Sequence, residues 1–326
     1  MKYTDVIFGQ VSIEEPVILE LLQSPVLTRL KGISQAGYMK PYFPNNNRTR
    51  WEHSLGVFLV LRYYGAGLIE QVAGLIHDVS HTAFSHAIDY VFDEGSPENQ
   101  SFQDDTFETF VRESEIPAIL ARHGLDLEAV IDDANLPLKE KPLPDLCADR
   151  IEYNLGDGVG YGTIPEAAAA GFITDLRAIA GQWVFANATS AEAFARLFAR
   201  NNRECFAGLP SAKMFITLRN YLKHALKQKY IERADFYGVD SQVLEKIAAH
   251  HTHDAELKHL FDYLEARLPI QNNPANFDER VVCKSRFIDP LCLVNNEIQH
   301  LSTVLPGWKQ IMTEDSQPKE YFLKFG

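Results

Sequence analysis

The sequence predicts a predominantly α-helical fold with a small α+β lobe at its C-terminal end. Apolar residues recur at helical spacing over most of the chain, whereas strand-like segments are few and short. Hydrophobic residues make up 46% of the 326 positions, so the chain is long enough and apolar enough to bury a large core.

Helical periodicity or helix-forming composition marks residues 13–22, 52–63, 66–77, 104–112, 145–155, 190–200, 212–233 and 243–268. Composition typical of strands marks residues 182–185, 281–287 and 321–323. The glycine-rich stretch 156–162 is similar to a phosphate-binding loop. Because it follows a helix rather than a strand, we expect a helix C-terminal cap and a turn there.

The charge balance restricts the classes of ligand. The chain has 31 basic and 44 acidic residues, which gives a net charge of −13. Long nucleic acid is bound through Lys and Arg side chains that neutralise its phosphates, so this balance disfavours such a partner. A compact anionic ligand stays compatible with the sequence, because a metal ion and a few local basic residues can attract it.

Targeting signals are not evident in the sequence. Charged or polar residues interrupt every apolar stretch well before the ~18 positions that a membrane-spanning helix requires. Residues 1–5 lack the basic start and the apolar run of a signal peptide. We therefore expect a cytoplasmic protein that does not bind membranes.

The four cysteines are scattered along the chain without a CxxC spacing, at Cys147, Cys205, Cys283 and Cys292. This spacing indicates neither a thiolate zinc site nor a disulfide framework. We expect buried thiols.

The densest cluster of chemically active residues lies between positions 50 and 86. His53 comes near the start of one predicted helix, and His77 and Asp78 come at the end of the next, before His81 and His86. Adjacent residues on a helix point about 100° apart, so His77 and Asp78 can bind one ion only beyond the helix end. The pattern predicts a metal site shared between helices.

The predicted ligand types do not select one metal. A mixed set of imidazoles and carboxylates fits a divalent ion such as iron, manganese, zinc, nickel, cobalt or magnesium. A fourth ligand is suggested by Asp149, a carboxylate that interrupts the apolar, helix-like stretch 146–153.

His53, the doublet His77-Asp78 and the distant Asp149 resemble the H…HD…D signature of the HD superfamily of metal-dependent phosphohydrolases. The surrounding sequence is similar to the branch that contains deoxynucleoside triphosphate triphosphohydrolases. The similar segments are Ser24-Pro25 with Arg29-Leu30, Ile33, Gln35 and Gly37, then Arg50-Trp51-Glu52-His53-Ser54-Leu55-Gly56-Val57, then His77-Asp78 with His81, Phe84, Ser85 and His86. The resemblance covers about residues 5–162 and is much weaker beyond Gly162.

The resemblance implies a helical HD-domain fold and a division of the chain into three parts. Residues 1–165 are expected to form the HD-domain core with the metal site, and residues 166–268 a helical extension that completes the cleft. Residues 269–326 are expected to form the small C-terminal lobe with short strands.

The resemblance also implies roles for matching residues. Metal ligands are expected at His53, His77, Asp78 and Asp149, and catalytic roles at Asp78, His81 and His86. Phosphate oxygens would be met by Arg50, His81, His86 and Arg150, and the sugar by Gln35, Tyr153 and Asp157. The spacing of Asp149, Tyr153 and Asp157 places them on one helical face. Metal-bound imidazoles usually donate to an outer partner, a role for which Glu52 is a candidate.

Two departures from the branch concern its triphosphate chemistry. Members usually carry a His-Glu pair downstream of the HxxFSH segment, where this chain has Gln103-Asp104. The R-x-x-x-H-x-x-x-Y pattern is met only by Arg219, with Lys223 and Lys227 at the other two positions. Glutamine cannot transfer a proton, so the metal centre is expected to be intact while the triphosphate-specific machinery is altered.

Three hypotheses of function follow. The first is a nucleotide phosphohydrolase that converts (deoxy)nucleoside triphosphates to nucleoside and triphosphate. The second is an HD phosphohydrolase or phosphodiesterase that acts on another phosphorylated metabolite. The third is a regulatory protein that binds metal and nucleotide without turnover. The expected partner is a small-molecule nucleotide, and a homo-oligomer is left open.

Overall fold

The computed structural model describes residues 1–92 and 94–326. Within these residues the chain forms α1 (Pro16–Gln23), α2 (Pro25–Arg29), α3 (Arg50–Tyr63), α4 (Leu68–Ile76), α5 (Phe102–Glu113), α6 (Ile116–Arg122), α7 (Leu127–Ile131), α8 (Ala148–Tyr161), α9 (Glu166–Asp175), α10 (Ala188–Asn201), α11 (Leu209–Lys227), α12 (Asp240–Ala248), α13 (Ala255–Leu264), α14 (Leu301–Val304) and α15 (Trp308–Asp315). A mostly helical fold with small sheets agrees with the sequence prediction.

The strands are short and form three small sheets. They are β1 (Lys2–Asp5), β2 (Gly9–Ser12), β3 (Leu176–Ile179), β4 (Gln182–Phe185), β5 (Ile270–Asn272), β6 (Glu279–Cys283), β7 (Leu291–Val294), β8 (Glu297–His300) and β9 (Lys319–Phe325). The strand orders are β1-β2, β3-β4-β7-β8 and β5-β9-β6. Strands β4 and β7 pair in parallel, with Val184 opposite Leu291. This sheet therefore joins the expected helical extension to the expected C-terminal lobe.

Helix α3 is the central element of the fold. Its residues Leu55 and Phe58 pack into one buried cluster with α1, α2 and α4. Val57 and Val60, on another face, pack into a second cluster with α8 and α10. A third cluster surrounds α11 and includes Tyr221. Because α3 is buried on several faces, residues in its first turn are held in a fixed place.

Local sequence signals set where α3 begins. Thr49 is the N-cap, and its side-chain oxygen accepts from the Glu52 backbone N–H at 3.3 Å. The Glu52 carboxylate in turn accepts from the Thr49 backbone N–H at 2.8 Å. This reciprocal capping box fixes the helix start at Arg50 and puts His53 in the first turn.

Several helix boundaries differ from the sequence prediction; the helix predicted over 212–233, for example, is Leu209–Lys227. Helix α8 continues through the glycine-rich stretch to Tyr161 and ends at Gly162, which has φ +73°. The glycines inside it leave room for crossing side chains, since a Cβ at Gly156 would collide with the Arg48 guanidinium. The helix predicted over 243–268 is divided into α12 and α13 by turns at 249–254.

The cysteine prediction is confirmed, because Cys147, Cys205, Cys283 and Cys292 are all buried free thiols. Among the residues that the structure describes, no helix combines the length and the apolar character needed to cross a membrane.

Candidate metal centre and active-site cavity

Three helices bring the four expected metal ligands together. His53 lies in the first turn of α3, His77 and Asp78 follow directly after α4, and Asp149 lies in the first turn of α8. His77 is the C-cap residue of α4, so the chain leaves the helix there and both neighbouring side chains can turn toward one point. The sequence argument that such a doublet needs a helix end agrees with this geometry.

The donor atoms are spaced as the ligands of a single ion would be. The His53 and His77 Nε2 atoms lie 3.2 Å apart, and Asp149 Oδ1 is 2.9 Å from the former and 3.6 Å from the latter. Asp78 places Oδ2 3.6 Å from His53 Nε2 and Oδ1 3.4 Å from His77 Nε2. Ligands bound at about 2.1 Å lie roughly 3.0–3.4 Å from one another in octahedral or tetrahedral geometry. The donor atoms of His53, His77 and Asp149 all lie within 4.8 Å of one another and fit a divalent cation, and Asp78 meets each imidazole with a different carboxylate oxygen.

Outer hydrogen bonds hold both imidazoles in the orientation that a ligand requires. His53 Nδ1 is 2.5 Å from Glu152 Oε2, and His77 Nδ1 is 2.8 Å from the Gly74 carbonyl oxygen. With Nδ1 donating, each ring directs the lone pair of Nε2 toward the shared point. Glu52, the expected outer partner, does not contact a ligand imidazole, because its carboxylate caps α3. Glu152 of α8 is the partner of His53 instead.

A buried network continues outward from Glu152. The Glu152 carboxylate also accepts from the Arg48 guanidinium, which in turn donates to Asp157 Oδ1 at 3.1 Å. Glu152 is fully buried, and Arg48 and Asp157 are nearly so. Asp157 is therefore held by Arg48 at one side of the site.

The electrostatics of the centre favour a cation. Burial alone would lower the pKa of His53, but the carboxylates of Glu152, Asp149 and Asp78 raise it to about 10. The pKa of His77 is also raised against burial, mainly by Asp78 and Asp149. Protons are thus bound tightly where carboxylates surround the imidazoles, and a divalent cation would replace them.

A second group of donor atoms shares Asp149 with the first and adds Glu140 and Cys147. Burial raises the pKa of the Cys147 thiol well above its ordinary value. A metal ligand at cysteine must be the thiolate, so this group fits a metal less well than the His-Asp set.

The centre opens into a cavity of about 420 Å³, within the range of small-molecule sites. All eleven residues expected at the site line this cavity, namely Gln35, Arg50, His53, His77, Asp78, His81, His86, Asp149, Arg150, Tyr153 and Asp157. Gln103 and Asp104, which stand where the branch has its His-Glu pair, line the cavity as well.

The two arginines expected to contact phosphate are held by different hydrogen-bond partners. Arg50 donates to Asp78 Oδ2 at 2.8 Å and to Ser85 Oγ at 2.9 Å, which fixes its guanidinium beside the metal ligands. Arg150 donates to the carbonyl oxygens of Lys141 and Asp145 at 2.8 and 2.7 Å. Arg150 therefore organises the loop before α8 as well as lining the cavity.

His81 and His86 occupy one side of the cavity. His81 Nε2 is 3.3 Å from Asp78 Oδ1, and the two imidazole rings stand perpendicular with centroids 5.0 Å apart. Burial and the Arg50 charge lower the pKa of His81 to about 4 and that of His86 well below its ordinary value. Both rings are neutral at pH 7. His86 Nδ1 is buried and has no hydrogen-bond partner among the described residues.

The residues expected to contact the sugar also line the cavity. Tyr153 packs edge-on against Phe206 with ring centroids 5.4 Å apart. Gln35 is 6% exposed, and its side-chain oxygen has no partner within the part of the chain that the structure describes. Arg219 donates to Glu279 and does not line the cavity.

Among the basic residues of the cavity that sequence reasoning missed are Lys284 and Arg286, which follow β6. They lie more than 120 positions beyond the resemblance, and a Lys-x-Arg pair after a short strand carries no signal of its own. Glu152 was also missed, although its position three residues after Asp149 places it on the same helix.

The HD domain profile matches residues 50–159, the stretch that contains all four candidate ligands. The chain is 34% identical over 300 residues to the uncharacterized protein YdhJ of Bacillus subtilis, covering 91% of this chain and 90% of that protein. The chain belongs to the HD superfamily of metal-dependent phosphohydrolases. Among other relatives of this HD protein, the metal-dependent phosphohydrolase cns2 of Cordyceps militaris is 40% identical over 174 residues, with 53% of this chain and 50% of that protein covered.

A more distant relative matches this HD protein over a smaller share of both chains. The deoxynucleoside triphosphate triphosphohydrolase SAMHD1 of Danio rerio is 26% identical over 195 residues, or 48% of this chain and 31% of that protein. The chain thus spans half or less of the length of cns2 and SAMHD1. A crystal structure of a phosphohydrolase from Bacteroides thetaiotaomicron superposes with a TM-score of 0.74 at 17% identity, over all of this chain and 99% of that one. At this identity the structural likeness concerns the fold.

Proposed function

We propose that this HD protein hydrolyses nucleotides, and first among them (deoxy)nucleoside triphosphates to nucleoside and triphosphate. The observation that carries the proposal is the position of the His53, His77 and Asp149 donor group, with Asp78 beside it, inside a cavity that also holds basic, imidazole and amide groups. His53, His77, Asp78 and Asp149 would hold the metal, with Glu152 and Gly74 orienting the imidazoles.

The nucleoside would occupy the wall formed by Gln35, Tyr153 and Asp157. A buried amide oxygen without a partner is costly, and a sugar hydroxyl is the kind of donor that would satisfy it. Tyr153 offers a ring face or edge to the sugar, and Asp157, held by Arg48, offers an acceptor. These three side chains favour a substrate that contains a nucleoside over a phosphorylated acid that lacks one.

Hydrolysis would break the bond between the α-phosphorus and O5′. A water oxygen attacks phosphorus and loses a proton, while O5′ leaves and gains one, so the reaction needs no further reactant. A divalent cation held by His53, His77 and Asp149 together with Asp78 would polarise a phosphoryl oxygen and the attacking water. Arg50 stabilises negative charge on the phosphate, and His86 donates a hydrogen bond to it.

Asp104 is the candidate proton donor to O5′. It lines the cavity at the position where the branch has Glu of a His-Glu pair. Although the residue is exposed, desolvation and the nearby Asp78 and Asp149 charges raise the pKa of its carboxyl. A raised pKa favours the protonated form that a general acid requires. Its neighbour Gln103 instead donates to the Gln100 carbonyl oxygen at 3.0 Å and holds the adjoining loop.

One observation favours a second candidate. Because Gln103 replaces the expected His, a phosphomonoesterase that releases orthophosphate from a nucleotide or another phosphorylated metabolite is the alternative. The two reactions give different inorganic products.

A nucleotide panel tests the proposal. Purified protein of determined metal content is incubated with nucleoside mono-, di- and triphosphates, and orthophosphate, pyrophosphate and triphosphate are each quantified. We expect triphosphate and nucleoside in equal amounts from triphosphates. Orthophosphate alone supports the second candidate, and no product from any nucleotide by a metal-loaded protein contradicts both.

A further inference from the structure

Lys284 and Arg286 extend from the segment after β6 into the cavity that contains the candidate metal centre. Lys284 Nζ donates to the Asn99 carbonyl oxygen at 2.5 Å, and Arg286 Nη2 donates to Gln100 Oε1 at 2.8 Å. The Arg286 backbone N–H donates to Asn202 Oδ1 at 2.9 Å. Both side chains are therefore positioned by neutral oxygen acceptors.

The other basic side chains of the cavity are already paired with carboxylates. Arg50 is 2.8 Å from Asp78, Arg150 is 3.3 Å from Glu140, and Lys139 is 2.5 Å from Asp133.

Lys284 and Arg286 differ, because no carboxylate oxygen lies within 4.0 Å of their charged nitrogens among residues 1–92 and 94–326. A partly buried cation without a counter-ion is costly, and burial lowers the pKa of Lys284 to about 8. An anionic ligand would supply the missing partner.

We propose that Lys284 and Arg286 bind the phosphate groups of the substrate that extend beyond the one at the metal centre, and so select polyphosphorylated nucleotides over monophosphates. The proposal rests on the proposed function and names its substrate class. Arg presents a planar fork that fits phosphate oxygens, and Lys supplies a point charge.

The position of the two cations supports this selectivity. The groups beside the metal ligands, Arg50 and the imidazoles of His81 and His86, are enough to bind one phosphate. A polyphosphate chain carries more charge and reaches further. Lys284 and Arg286 line the same cavity as His86 and Tyr153, the residues expected at the phosphate and at the sugar.

Calorimetry with inorganic anions tests the proposal without turnover of a nucleotide. Tripolyphosphate and orthophosphate are titrated into wild type, Lys284→Ala and Arg286→Ala at constant free Mg²⁺. We expect the Kd for tripolyphosphate to rise about tenfold or more in each variant, since each loses a charge-assisted hydrogen bond. The Kd for orthophosphate should change less than about threefold.

Arg280→Ala is the matched control. Arg280 lies on β6, is paired with Glu320 and does not line this cavity, so both Kd values should stay unchanged. If an Ala variant does not fold, Lys284→Gln and Arg286→Gln keep a hydrogen-bonding side chain without charge and should show the same loss.

Two results would overturn the proposal. One is an equal rise in the Kd for tripolyphosphate and the Kd for orthophosphate, which would mean that Lys284 and Arg286 bind the single phosphate at the metal centre. The other is unchanged binding of tripolyphosphate. Binding through these residues without hydrolysis of any nucleotide would refute the proposed function alone, whereas triphosphate hydrolysis that survives both substitutions would refute this proposal alone.

Discussion

Glu152 shows how one residue can set the properties of its neighbours. It is fully buried, accepts from Arg48 and meets His53 Nδ1 at 2.5 Å. The carboxylate fixes the tautomer of a candidate ligand and compensates a buried guanidinium. Sequence reasoning offered Glu52 as the candidate for this role, whereas the helical geometry brings Glu152 to the ring from 99 positions away.

Glu152→Gln removes the charge and keeps the side-chain size. Loss of such an outer partner typically weakens metal binding by about 10–100-fold, so we expect a rise of that order in the Kd for the metal. Competition with a chelator measures it. Glu52→Gln, which alters only the cap of α3, should leave the metal Kd unchanged. Equal metal affinity in Glu152→Gln and wild type would refute the role of Glu152.

Asp104 has a matched neighbour in Asp105: both residues are exposed, but only Asp104 lines the cavity. If Asp104 protonates the leaving oxygen, Asp104→Asn should lower kcat by about 10²–10⁴-fold with little change in KM. Asp105→Asn should retain wild-type rates. Steady-state kinetics on the preferred nucleotide decide the point, and comparable kcat values for the two variants would exclude Asp104 as the proton donor.

The lowered pKa of Lys284 predicts that substrate binding depends on pH. Burial, together with the Arg286 and Arg150 charges and against those of Asp104 and Asp89, lowers the pKa of Lys284 to about 8. A charged Lys binds the anion, so KM should rise as the pH increases through about 8. In Lys284→Arg the charge persists, so this rise should be absent. The same KM profile in both proteins between pH 7 and 9 would assign the dependence to another group.

At the scale of elements, periodicity and capping signals predicted α3 and α4 well, because both are set by nearby residues. The pairing of β4 with β7 joins segments about 100 positions apart, and no local sequence pattern predicts it. Helix α8 extends beyond its predicted end, and Arg48 crosses it at Gly156, a tertiary contact that the glycine spacing alone cannot reveal.

Gly156→Ala tests whether α8 needs that glycine. A Cβ there would displace the Arg48 guanidinium from Glu152, so we expect a loss of about 1–3 kcal/mol in the free energy of unfolding. Gly171 in α9 is the control, since a Cβ would meet nothing within 4 Å. Gly171→Ala should gain about 0.5–1 kcal/mol. Denaturant unfolding measures both; a Gly156→Ala variant as stable as wild type would contradict the account of this helix.

At the scale of the whole molecule, a chain of net charge −13 places basic and imidazole groups in one cavity. Sequence similarity to the HD superfamily predicted the residues that the three helices bring together, because those residues lie in a continuous stretch of recognisable motifs. The cations contributed after β6 could not be predicted, since only folding brings the C-terminal part of the chain to the cavity.

The central claim is that His53, His77, Asp78 and Asp149 hold one divalent ion on which hydrolysis depends. Elemental analysis of wild type and His77→Ala, with nucleotide hydrolysis assayed on the same preparations, tests it most directly. We expect about one ion per chain in wild type and the loss of metal and activity together in the variant. A His77→Ala protein that keeps its bound metal and its rate of hydrolysis would contradict the claim.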